Sequence, residues 1–353
     1  MNVLMIGVDE TSVGGMLTVI KNYLNSKAFC EDVNLHYIAT VIRAGKIKKI
    51  TTFIGKIPEI VKTIRRENID IVHVHMAERG SVFREGFVIL LARRLGCKTV
   101  IHMHGSTIEK WYYRRSRIVQ KITRSIFCAA DKMIVLGELW RPFMSRVMRG
   151  YEEKICVLHN AVKVPAENGY HPEAHNFLFY GMLIQRKGID DLLEAYRSIL
   201  PDIPQNVDLD LYGDDYDSEE KIREKIKRFG LEGRAVYKGW MTEDNREEAF
   251  KAAMVNILPS YNEGLPMTVL ETMGYGIPNI TTGVAAIPEV VEDNENGFLI
   301  TPGDVQALAE KMTLIVNDPG VRKRLSDAAY KKAKQEFSLE SHFEQLKKIY
   351  SSL

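Results

Sequence analysis

The feature that most constrains the fold is the stretch Tyr261–Gly276, together with the apolar run on either side of it. The runs Met254–Leu258 and Asn279–Val284 have the length and composition of buried strands, and the stretch between them fits a loop followed by a helix. A strand, a helix and a second strand in this order predict a crossover between two parallel strands. We therefore expect a parallel sheet covered by helices.

Within this stretch we predict a helix that begins at Pro266 and stops at Gly276. Glu263 then lies in the loop after the first strand, and Glu271 lies inside the helix. A helix start attracts anions such as phosphate, and an ionised Glu can accept hydrogen bonds from both hydroxyls of a ribose. The combination predicts a nucleotide site. Its other candidate donor-binding residues surround the helix start: Gly264, Leu265, Pro266, Met267 and Thr268.

The segment EGLPMTVLETMGYGIP, which begins at Glu263, resembles the retaining nucleotide-sugar glycosyltransferases of the GT-B fold, specifically the large family 4. The resemblance covers nearly the whole chain and is densest from Gly181 to Asp304. It implies an α/β fold of two Rossmann-like doubly wound domains facing a central cleft. It also implies that Glu263 lies by the donor sugar as a catalytic residue, that Glu271 binds the nucleotide ribose, and that the donor is most often UDP-linked.

The chain length of 353 residues is natural for two domains. We predict an N-terminal acceptor-binding domain over residues 1–163, a linker over 164–175 and a C-terminal nucleotide-sugar-binding domain over 176–337. A final helix over 338–353 is predicted from its sequence, and the resemblance implies that it crosses back to the first domain.

Two glycines, Gly14 and Gly15, follow the first apolar run, where the backbone of a doubly wound domain approaches its ligand. The resemblance implies that they lie against the donor diphosphate, although a simple turn is an equally good interpretation. They do not form GxGxxG, which argues against a dinucleotide dehydrogenase.

Histidine pairs end two predicted strands: His73 with His75, and His102 with His104. Alternation along a strand places each pair on one face of the sheet. A metal site is one interpretation, but histidines that are hydrogen-bonded within a core are commoner. The segment HMHGS resembles a family segment whose histidine contacts the reacting sugar. This resemblance makes His104 a candidate catalytic residue that binds sugar hydroxyls and steadies positive charge at the anomeric carbon.

The family pattern G-R-x-x-x-x-K-G corresponds here to Gly181, Met182, Lys187 and Gly188. Lys187 is retained, but Met182 replaces the Arg that clamps the diphosphate in the family. Arg186 is the obvious substitute as a bidentate phosphate donor. Our hypothesis is that Lys187 and Arg186 together neutralise the departing diphosphate.

Several aspartates in the segment Val207–Glu220 have the Asp-x-Asp spacing that binds a divalent ion in the GT-A fold. Asp208 and Asp210, however, fall within an apolar strand, while Asp215 and Asp217 fall in a loop before a charged helix. A solvated loop and helix cap explains them better than a metal site. We therefore predict no required metal or other cofactor, with basic residues and a helix dipole in place of the ion.

The net charge of +2 conceals two halves of opposite sign. Residues 1–163 contain 27 Lys and Arg against 14 Asp and Glu, whereas the remainder contains 21 against 32. This asymmetry indicates that the first domain meets an anionic partner, for which we favour a lipid surface over nucleic acid. Attraction between the two domains is the alternative.

The segment Arg43–Arg66 contains eight of these basic residues, with apolar residues at helical spacing. A cationic amphipathic helix of this kind can lie on an anionic bilayer, although burial of its apolar side in the core is an equally good interpretation. A second basic cluster, Trp111–Arg124, adds aromatic residues typical of membrane interfaces. The candidates for a membrane or acceptor surface are Lys46, Lys48, Lys49, Lys56, Trp111, Arg114 and Arg115.

No apolar run approaches the length of a membrane span, and the sequence from Met1 lacks a signal-peptide pattern. Four widely spaced cysteines predict free thiols. We therefore expect a cytoplasmic protein that is peripheral at the inner membrane face. Its predicted function is transfer of a sugar, with retention, from a nucleotide-sugar donor to a hydroxyl of a lipid-linked saccharide in surface polysaccharide biosynthesis.

Two other classes of function remain open. A noncatalytic, membrane-associated partner of another transferase would explain the loss of the Arg at Met182. A sugar-nucleotide epimerase of the same fold would bind the same donor without an acceptor.

Overall fold

The computed structural model describes residues 1–12, 14–213 and 219–353, except for the side chain of Lys46. The predicted loop aspartates, Asp215 and Asp217, lie outside the described residues. The chain forms two compact units: unit 1 comprises Met1–Ala161 and Leu339–Leu353, and unit 2 comprises Val162–Ser338.

Unit 1 is built on a six-stranded parallel sheet. Its strands are β1 (Val3–Val8), β2 (Leu35–Val41), β3 (Ile71–Met76), β4 (Lys98–Met103), β5 (Lys132–Val135) and β6 (Ile155–Val157). The spatial order is β2-β1-β3-β4-β5-β6, so the direction of winding reverses between β1 and β3. Their apolar sequences follow from this arrangement, because helices cover both faces of a parallel sheet.

Helices cover this sheet. They are α1 (Gly15–Asn25), α2 (Lys27–Asp32), α3 (Lys46–Arg66), α4 (Gly80–Arg94), α5 (Ile108–Tyr113), α6 (Arg117–Ala129) and α7 (Arg141–Val147). Buried side chains from the strands and from α3, α4, α6 and α7 form one hydrophobic core, which includes Val72, Ile89, Phe127 and Phe143.

Unit 2 is also built on a six-stranded parallel sheet. Its strands are β7 (Asn176–Tyr180), β8 (Leu209–Tyr212), β9 (Ala235–Gly239), β10 (Ala253–Leu258), β11 (Asn279–Thr282) and β12 (Gly297–Ile300). The order β12-β11-β10-β7-β8-β9 reverses its winding between β7 and β10. Ligands of doubly wound sheets bind at the carboxyl ends of the strands at such a reversal.

The helices of unit 2 follow the same alternation along the chain. They are α8 (Ile189–Ile199), α9 (Glu219–Arg228), α10 (Glu243–Ala252), α11 (Met267–Gly274), α12 (Ile287–Val290), α13 (Val305–Asn317) and α14 (Pro319–Glu336). Fully buried side chains, among them Phe177, Tyr196 and Leu270, fill the space between helices and sheet.

The last helix, α15 (Leu339–Ser351), packs within unit 1 rather than unit 2. The Tyr350 hydroxyl lies 2.5 Å from His73 Nδ1, and the ring of Phe343 stacks on that of Phe29 at 4.4 Å. These contacts place the end of the chain against β3 and α2 of unit 1.

The predicted α/β class with two doubly wound units is confirmed, and the differences are local. Helix α11 starts at Met267, one residue later than predicted, because Pro266 keeps an extended ψ of 126°. It ends at Gly274, and Gly276 follows in the left-handed region at φ 75°. Among the described helices, none combines the length and apolarity needed to cross a bilayer.

Candidate active site

The winding reversal in unit 2 brings together predicted donor residues that are far apart in sequence. Lys187 and Arg186 lie in a 3-10 turn, Gln185–Lys187, shortly after β7, while Glu263 lies in the loop after β10. Because β7 and β10 are neighbours, both segments emerge at the same edge of the sheet. The sequence-predicted cluster therefore forms at the position where this class of sheet binds ligands.

At the centre of this cluster, Lys187 Nζ donates to Glu263 Oε1 at 2.5 Å. Both side chains are largely buried, with 11% and 7% of their surfaces exposed. Arg186 Nη1 donates to the carbonyl oxygen of Asn262 at 2.6 Å and lies 3.9 Å from Glu263 Oε2. Two cationic side chains therefore accompany one carboxylate, which leaves an excess of positive charge.

The approach of the 3-10 turn to β10 depends on Gly188. Its φ of 74° lies in the left-handed region, and a Cβ there would come within 2.1 Å of the carbonyl oxygen of Pro259. Any larger residue would separate the two segments. The family-like K-G dipeptide is thus explained by packing that positions Lys187.

The start of α11 carries polar groups that point to an anionic ligand. No side chain caps the helix at Pro266, and the first N–H groups of any helix lack intrahelical acceptors. Within the described residues, the hydroxyls of Ser260 and Thr268 are buried without a hydrogen-bond partner. Buried polar groups normally have partners. An uncapped helix start with unpartnered hydroxyls can therefore bind phosphate oxygens.

Glu271 lies on α11, as predicted, with only 7% of its surface exposed. Burial raises the pKa of its carboxyl, while Arg246 and a hydrogen bond from Tyr180 act in the opposite direction. Its Oε2 and the Nε of Arg246 are both buried without a partner in the described part of the chain. Glu271 thus has a free acceptor oxygen, and Arg246, whose charge acts on Glu271, has a free donor, a combination that can bind a diol.

Sequence reasoning missed Tyr180 and Arg246. Tyr180 is the last residue of β7, so its position at a strand end was an available signal. Arg246 lies in the charged helix α10, where nothing in the local sequence distinguishes it from its neighbours.

Two further predictions about unit 2 concern Met182 and the aspartates at β8. Met182 is buried, with 9% of its surface exposed, so its thioether belongs to the packed interior. Asp210 in β8 accepts from Asn176 Nδ2 at 2.8 Å, and Asp208, just before the strand, lies 3.4 Å from Arg234. Both aspartates thus have partners within the fold.

In unit 1, Gly14 directly precedes α1, and Gly15 is the first residue of that helix. The φ of Gly14, 112°, is one that residues with a Cβ rarely adopt. Among the described atoms, none lies within 4 Å of a Cβ built at Gly14. The backbone is therefore open to a ligand here, at the winding reversal of unit 1.

The four strand-end histidines stack on one face of β3 and β4, as alternation predicts. His73, His75 and His102 are fully buried, and His104 follows β4 at a partly exposed position. His75 Nδ1 lies 2.9 Å from His104 Nε2. The ring nitrogens of the three buried histidines lie within 4.8 Å of one another, which keeps a metal site open as an interpretation.

The basic candidates lie on one set of helices in unit 1. Lys48 is exposed and Lys49 and Lys56 are half-buried on α3, while Arg114 and Arg115 are exposed between α5 and α6. The backbone of Lys46 begins α3. Trp111 is a correction: it is 9% exposed, belongs to the core and contacts the ring of Phe83 at 6.2 Å. Its indole therefore does not face outward.

The apolar residues near the start of α3 are exposed rather than packed in the core. Ile47, Ile50 and Ile54 have 81%, 59% and 58% of their surfaces exposed, whereas Ile60 and Ile64 are buried farther along the helix. Only the second half of α3 thus contributes a fully buried apolar side to the core.

Comparison with known proteins agrees with this architecture. Residues 25–164 match the family model described as Glycosyltransferase Family 4, and residues 164–332 match that described as Glycosyl transferases group 1. An uncharacterized 41.2 kDa protein in the cps region of Klebsiella pneumoniae is 26% identical over 336 residues, 87% of this chain and 88% of that protein. The capsular polysaccharide biosynthesis glycosyltransferase CapM of Staphylococcus aureus is 25% identical over 269 residues, 72% and 69% of the two chains.

Two solved structures have the same fold. Sucrose-phosphate synthase from Thermosynechococcus elongatus superposes with a TM-score of 0.81 at 18% identity, over 99% of this chain and 98% of that one. Anabaena Alr3699/HepE in complex with UDP superposes with a TM-score of 0.78 at 17% identity over the full length of both chains, and its UDP-glucose complex has a TM-score of 0.76. With both halves matched in sequence and the fold matched throughout, the chain belongs to the GT-B glycosyltransferases of family 4.

Proposed function

We propose that this glycosyltransferase moves a sugar from a UDP-linked donor to a hydroxyl of a lipid-linked saccharide, with retention of anomeric configuration, in surface polysaccharide biosynthesis. The observation that carries the proposal is the cluster at the β7–β10 reversal. There the Lys187–Glu263 pair, the uncapped start of α11 and the unpartnered oxygen of Glu271 lie at one sheet edge. The UDP and UDP-glucose complexes of the Anabaena protein support the donor class.

Each part of the donor has a proposed binding group. Glu271 accepts from the ribose hydroxyls, with Arg246 and Tyr180 holding its carboxylate in place. The backbone N–H groups of Gly264, Leu265, Met267 and Thr268 around the start of α11 bind the diphosphate, together with the cations of Lys187 and Arg186. Within unit 1, the proposed contacts are the backbone of Gly14 and Gly15 for a diphosphate and His104 for a sugar.

The proposed reaction takes place on one face of the sugar. The bond from the anomeric carbon to the diphosphate oxygen breaks, and Lys187 and Arg186 stabilise the departing charge. The acceptor oxygen then bonds to the anomeric carbon from the same face, and its proton passes to an oxygen of the leaving diphosphate. The ion pair with Lys187 stabilises the carboxylate of Glu263 and makes it a weak nucleophile, which favours this course over a covalent glycosyl-enzyme.

We propose that this chemistry needs no divalent ion. The charge that a metal would neutralise is met by one lysine, one arginine and a helix start, all acting at one site. Transfer activity in excess EDTA equal to that in excess Mg²⁺ is the expected result, and loss of activity on chelation would contradict it.

The lipid-linked acceptor is supported by the charge of unit 1. The segments 46–66, 80–94 and 108–129 contain sixteen Lys and Arg against three Asp and Glu, a surplus of 13. This equals the whole excess of positive charge in residues 1–163, so the other residues of that range contain equal numbers of basic and acidic side chains. We call the surface of these three segments the basic–apolar face. It is proposed to lie on the anionic inner surface of the cytoplasmic membrane, where it would meet a lipid-linked acceptor.

The experiment that tests the proposal combines binding with transfer. Isothermal titration with UDP-glucose, UDP-N-acetylglucosamine and GDP-mannose is expected to show binding of a UDP-linked sugar that a Glu271→Gln variant loses by about tenfold or more. Transfer to a membrane lipid extract is then followed by NMR of the product, in which an α-linked donor sugar should remain α-linked.

The alternative functions predict other results in the same experiment. A noncatalytic partner of another transferase would bind none of the nucleotide sugars. An epimerase would convert the donor without an acceptor. A β-linked product from an α-linked donor would overturn retention while leaving the transferase assignment intact.

A further inference from the structure

His75 is a buried residue that contacts the proposed catalytic residue His104. Strands β3 and β4 pair in register, with His75 opposite His102. The rings form a continuous stack, with centroids 4.9 Å apart for His73 and His75, 5.2 Å for His75 and His102, and 4.3 Å for His102 and His104. His104, at the partly exposed end, is the ring that can reach a substrate.

All four imidazoles are neutral at ordinary pH. Burial lowers the pKa of His73 to about 3, and it lowers the pKa values of His75, His102 and His104 well below the usual range. A neutral imidazole has one nitrogen that donates and one that accepts. What can vary in this stack is therefore the position of each proton rather than the charge.

The hydrogen bond between His75 Nδ1 and His104 Nε2, at 2.9 Å, allows two arrangements of the protons. If His75 Nδ1 donates, the buried Nε2 of His75 is left as a bare lone pair, and His104 must hold its proton on Nδ1. If His104 Nε2 donates instead, His75 has an N–H at Nε2. That nitrogen is buried without a partner among the described residues.

The first arrangement is the less costly. An unpartnered buried N–H is rarer in proteins than an unpartnered acceptor, and leaving a buried group unpaired costs about 1–3 kcal/mol. His342 shows the same control of a tautomer nearby. Its Nδ1 must donate to the carbonyl oxygen of His159, at 2.8 Å, so its Nε2 accepts from the Tyr23 hydroxyl at 2.6 Å.

We propose that His75 is a positioning residue that donates its Nδ1–H to His104 Nε2, so that His104 presents an Nδ1–H donor to an oxygen of the bound sugar. This proposal rests on the proposed function for the role of His104. It follows that the substrate group facing His104 must accept a hydrogen bond, as a hydroxyl or carboxylate oxygen does.

The geometry favours this role over a metal site. The rings of His73 and His75 are stacked with only 12° between their planes, and those of His75 and His102 with 30°. The lone pair of an imidazole lies in the ring plane, so stacked rings direct their lone pairs side by side rather than toward one ion. Histidine ligands of zinc instead converge on the metal at about 2.0–2.1 Å.

The proton positions can be tested without any substrate. Protein labelled with ¹⁵N-histidine gives two-bond ¹H–¹⁵N spectra in which the two tautomers have different patterns, and loss of a signal in His104→Gln assigns His104. The expected pattern is Nδ1–H in the wild type, with a change toward Nε2–H in His75→Phe. An Nε2–H pattern for wild-type His104 would overturn the proposal, whether or not the enzyme is active.

Kinetics test the consequence, with variants that separate hydrogen bonding from packing. His75→Phe should lower kcat by about tenfold, the effect expected from the loss of one hydrogen bond, with little change in the KM of the nucleotide sugar. His75→Asn keeps an N–H donor near the Nδ1 position and should recover kcat to within about threefold. His102→Phe is the matched control, because it preserves a ring in the stack but removes no bond to His104.

Two results would count against this role. Equal losses in His75→Phe and His102→Phe would show that packing of the stack, and not the hydrogen bond, determines activity. Stoichiometric zinc or cobalt in the purified protein, lost in His102→Phe, would show that the histidines bind a metal instead. If neither variant can be assayed because no transfer is found, the spectra still decide the tautomer.

Discussion

Lys187 and Glu263 form an ion pair that is almost completely removed from water. A buried charge without its partner is costly, so each side chain depends on the other for its stability. The ammonium has three N–H groups, and the bond to Glu263 uses one of them. Lys187 can therefore hold the carboxylate of Glu263 in place and still bind a phosphate oxygen.

Replacing Lys187 by Met should destabilise unit 2 by about 3–5 kcal/mol, because Glu263 is left as an uncompensated buried carboxylate. Adding Glu263→Gln to Lys187→Met should restore most of the stability but none of the transfer activity. Urea unfolding and a transfer assay measure the two effects. The control is Lys251→Met, which breaks a pair with Glu247 of the same 2.5 Å length at an exposed position. It should cost less than about 1 kcal/mol.

Arg186 provides a second prediction for a single residue. Arg186 contacts the loop carbonyl of Asn262 and is the proposed substitute for the family Arg that Met182 replaces. Arg186→Ala should weaken nucleotide-sugar binding about tenfold through loss of a charged phosphate contact, as measured by titration. Arg223→Ala, on the exposed helix α9, should leave binding unchanged. Turnover and affinity equal to wild type in Arg186→Ala would remove Arg186 from the site.

At the scale of elements, the basic–apolar face combines charge with exposed apolar side chains. Phe53 on α3 contacts Phe87 on α4 at 6.0 Å, and Phe83 on α4 contacts Trp111 on α5, so the helices are adjacent. The exposed apolar side chains of this face are Ile47, Ile50, Ile54, Phe83, Phe87, Leu90, Tyr113, Ile118 and Ile122. These exposed apolar residues on neighbouring helices, together with the positive charge, are the features on which the proposed contact with an anionic membrane rests.

Neutralising Lys46, Lys48 and Lys49 by Gln should weaken binding to vesicles with anionic lipid about a hundredfold. Each basic residue near such a surface contributes about 1 kcal/mol. Co-sedimentation measures the effect, which should fade in high salt. The control is a unit 2 variant with Gln in place of Lys227, Lys251 and Lys331, which removes the same amount of positive charge from another part of the protein. Unchanged sedimentation of the α3 variant, or an equal loss in the unit 2 variant, would rule out this face as the membrane-binding surface.

The apolar contribution of this face can be separated from its charge. Ile47→Ser, Ile50→Ser and Ile54→Ser combined should weaken vesicle binding while leaving thermal stability nearly unchanged, because these side chains are already exposed to water in the free protein. A large fall in Tm would show instead that the three isoleucines pack within the protein.

At the scale of the whole molecule, the chain end completes unit 1. Helix α15 brings His342 and Tyr350 against Tyr23 and His73, which are more than 250 positions away in sequence. Burial lowers the pKa of His342 to about 4, so this residue joins His73, His75 and His102 as a buried neutral imidazole. Protonating any of them requires the unit to open.

Unit 1 should therefore lose stability as the pH falls from about 6.5 toward 4. In this window the unfolded chain binds protons that the folded histidines do not, so each of these four, and His104 with its similarly lowered pKa, costs about 1.4 kcal/mol per pH unit. Burial raises the pKa of Glu85, so protonation of this carboxyl favours the folded state as the pH falls, but this single group opposes the effect of several histidines. Calorimetric Tm values across this range provide the measurement.

The control for this pH dependence is the double variant His171→Gln and His175→Gln, which removes two exposed histidines of unit 2. Its Tm should follow the wild-type pH dependence closely. A wild-type Tm that stayed level from pH 6.5 to 4.5 would contradict the assignment of the stack as neutral and buried.

Much of the fold and part of the candidate site followed from local patterns. The alternation of apolar runs with helical segments predicted the doubly wound class, and the stretch around Glu263 and Glu271 predicted a loop and a helix start. Such patterns are local because hydrogen-bonding period and turn chemistry are set by neighbours in sequence. Trp111 shows where this reasoning failed, because an aromatic in a basic cluster has the same local pattern whether it faces a membrane or the core.

The sequence by itself thus determined which segments become strands and helices, and which loop could bind a phosphate. Only the tertiary structure decided which side chains meet. Lys187 and Glu263 are 76 positions apart and touch because β7 lies beside β10, and His75 reaches His104 because β3 lies beside β4. Strand order arises from the packing of all the helices on each sheet at once, so no local pattern encodes these contacts.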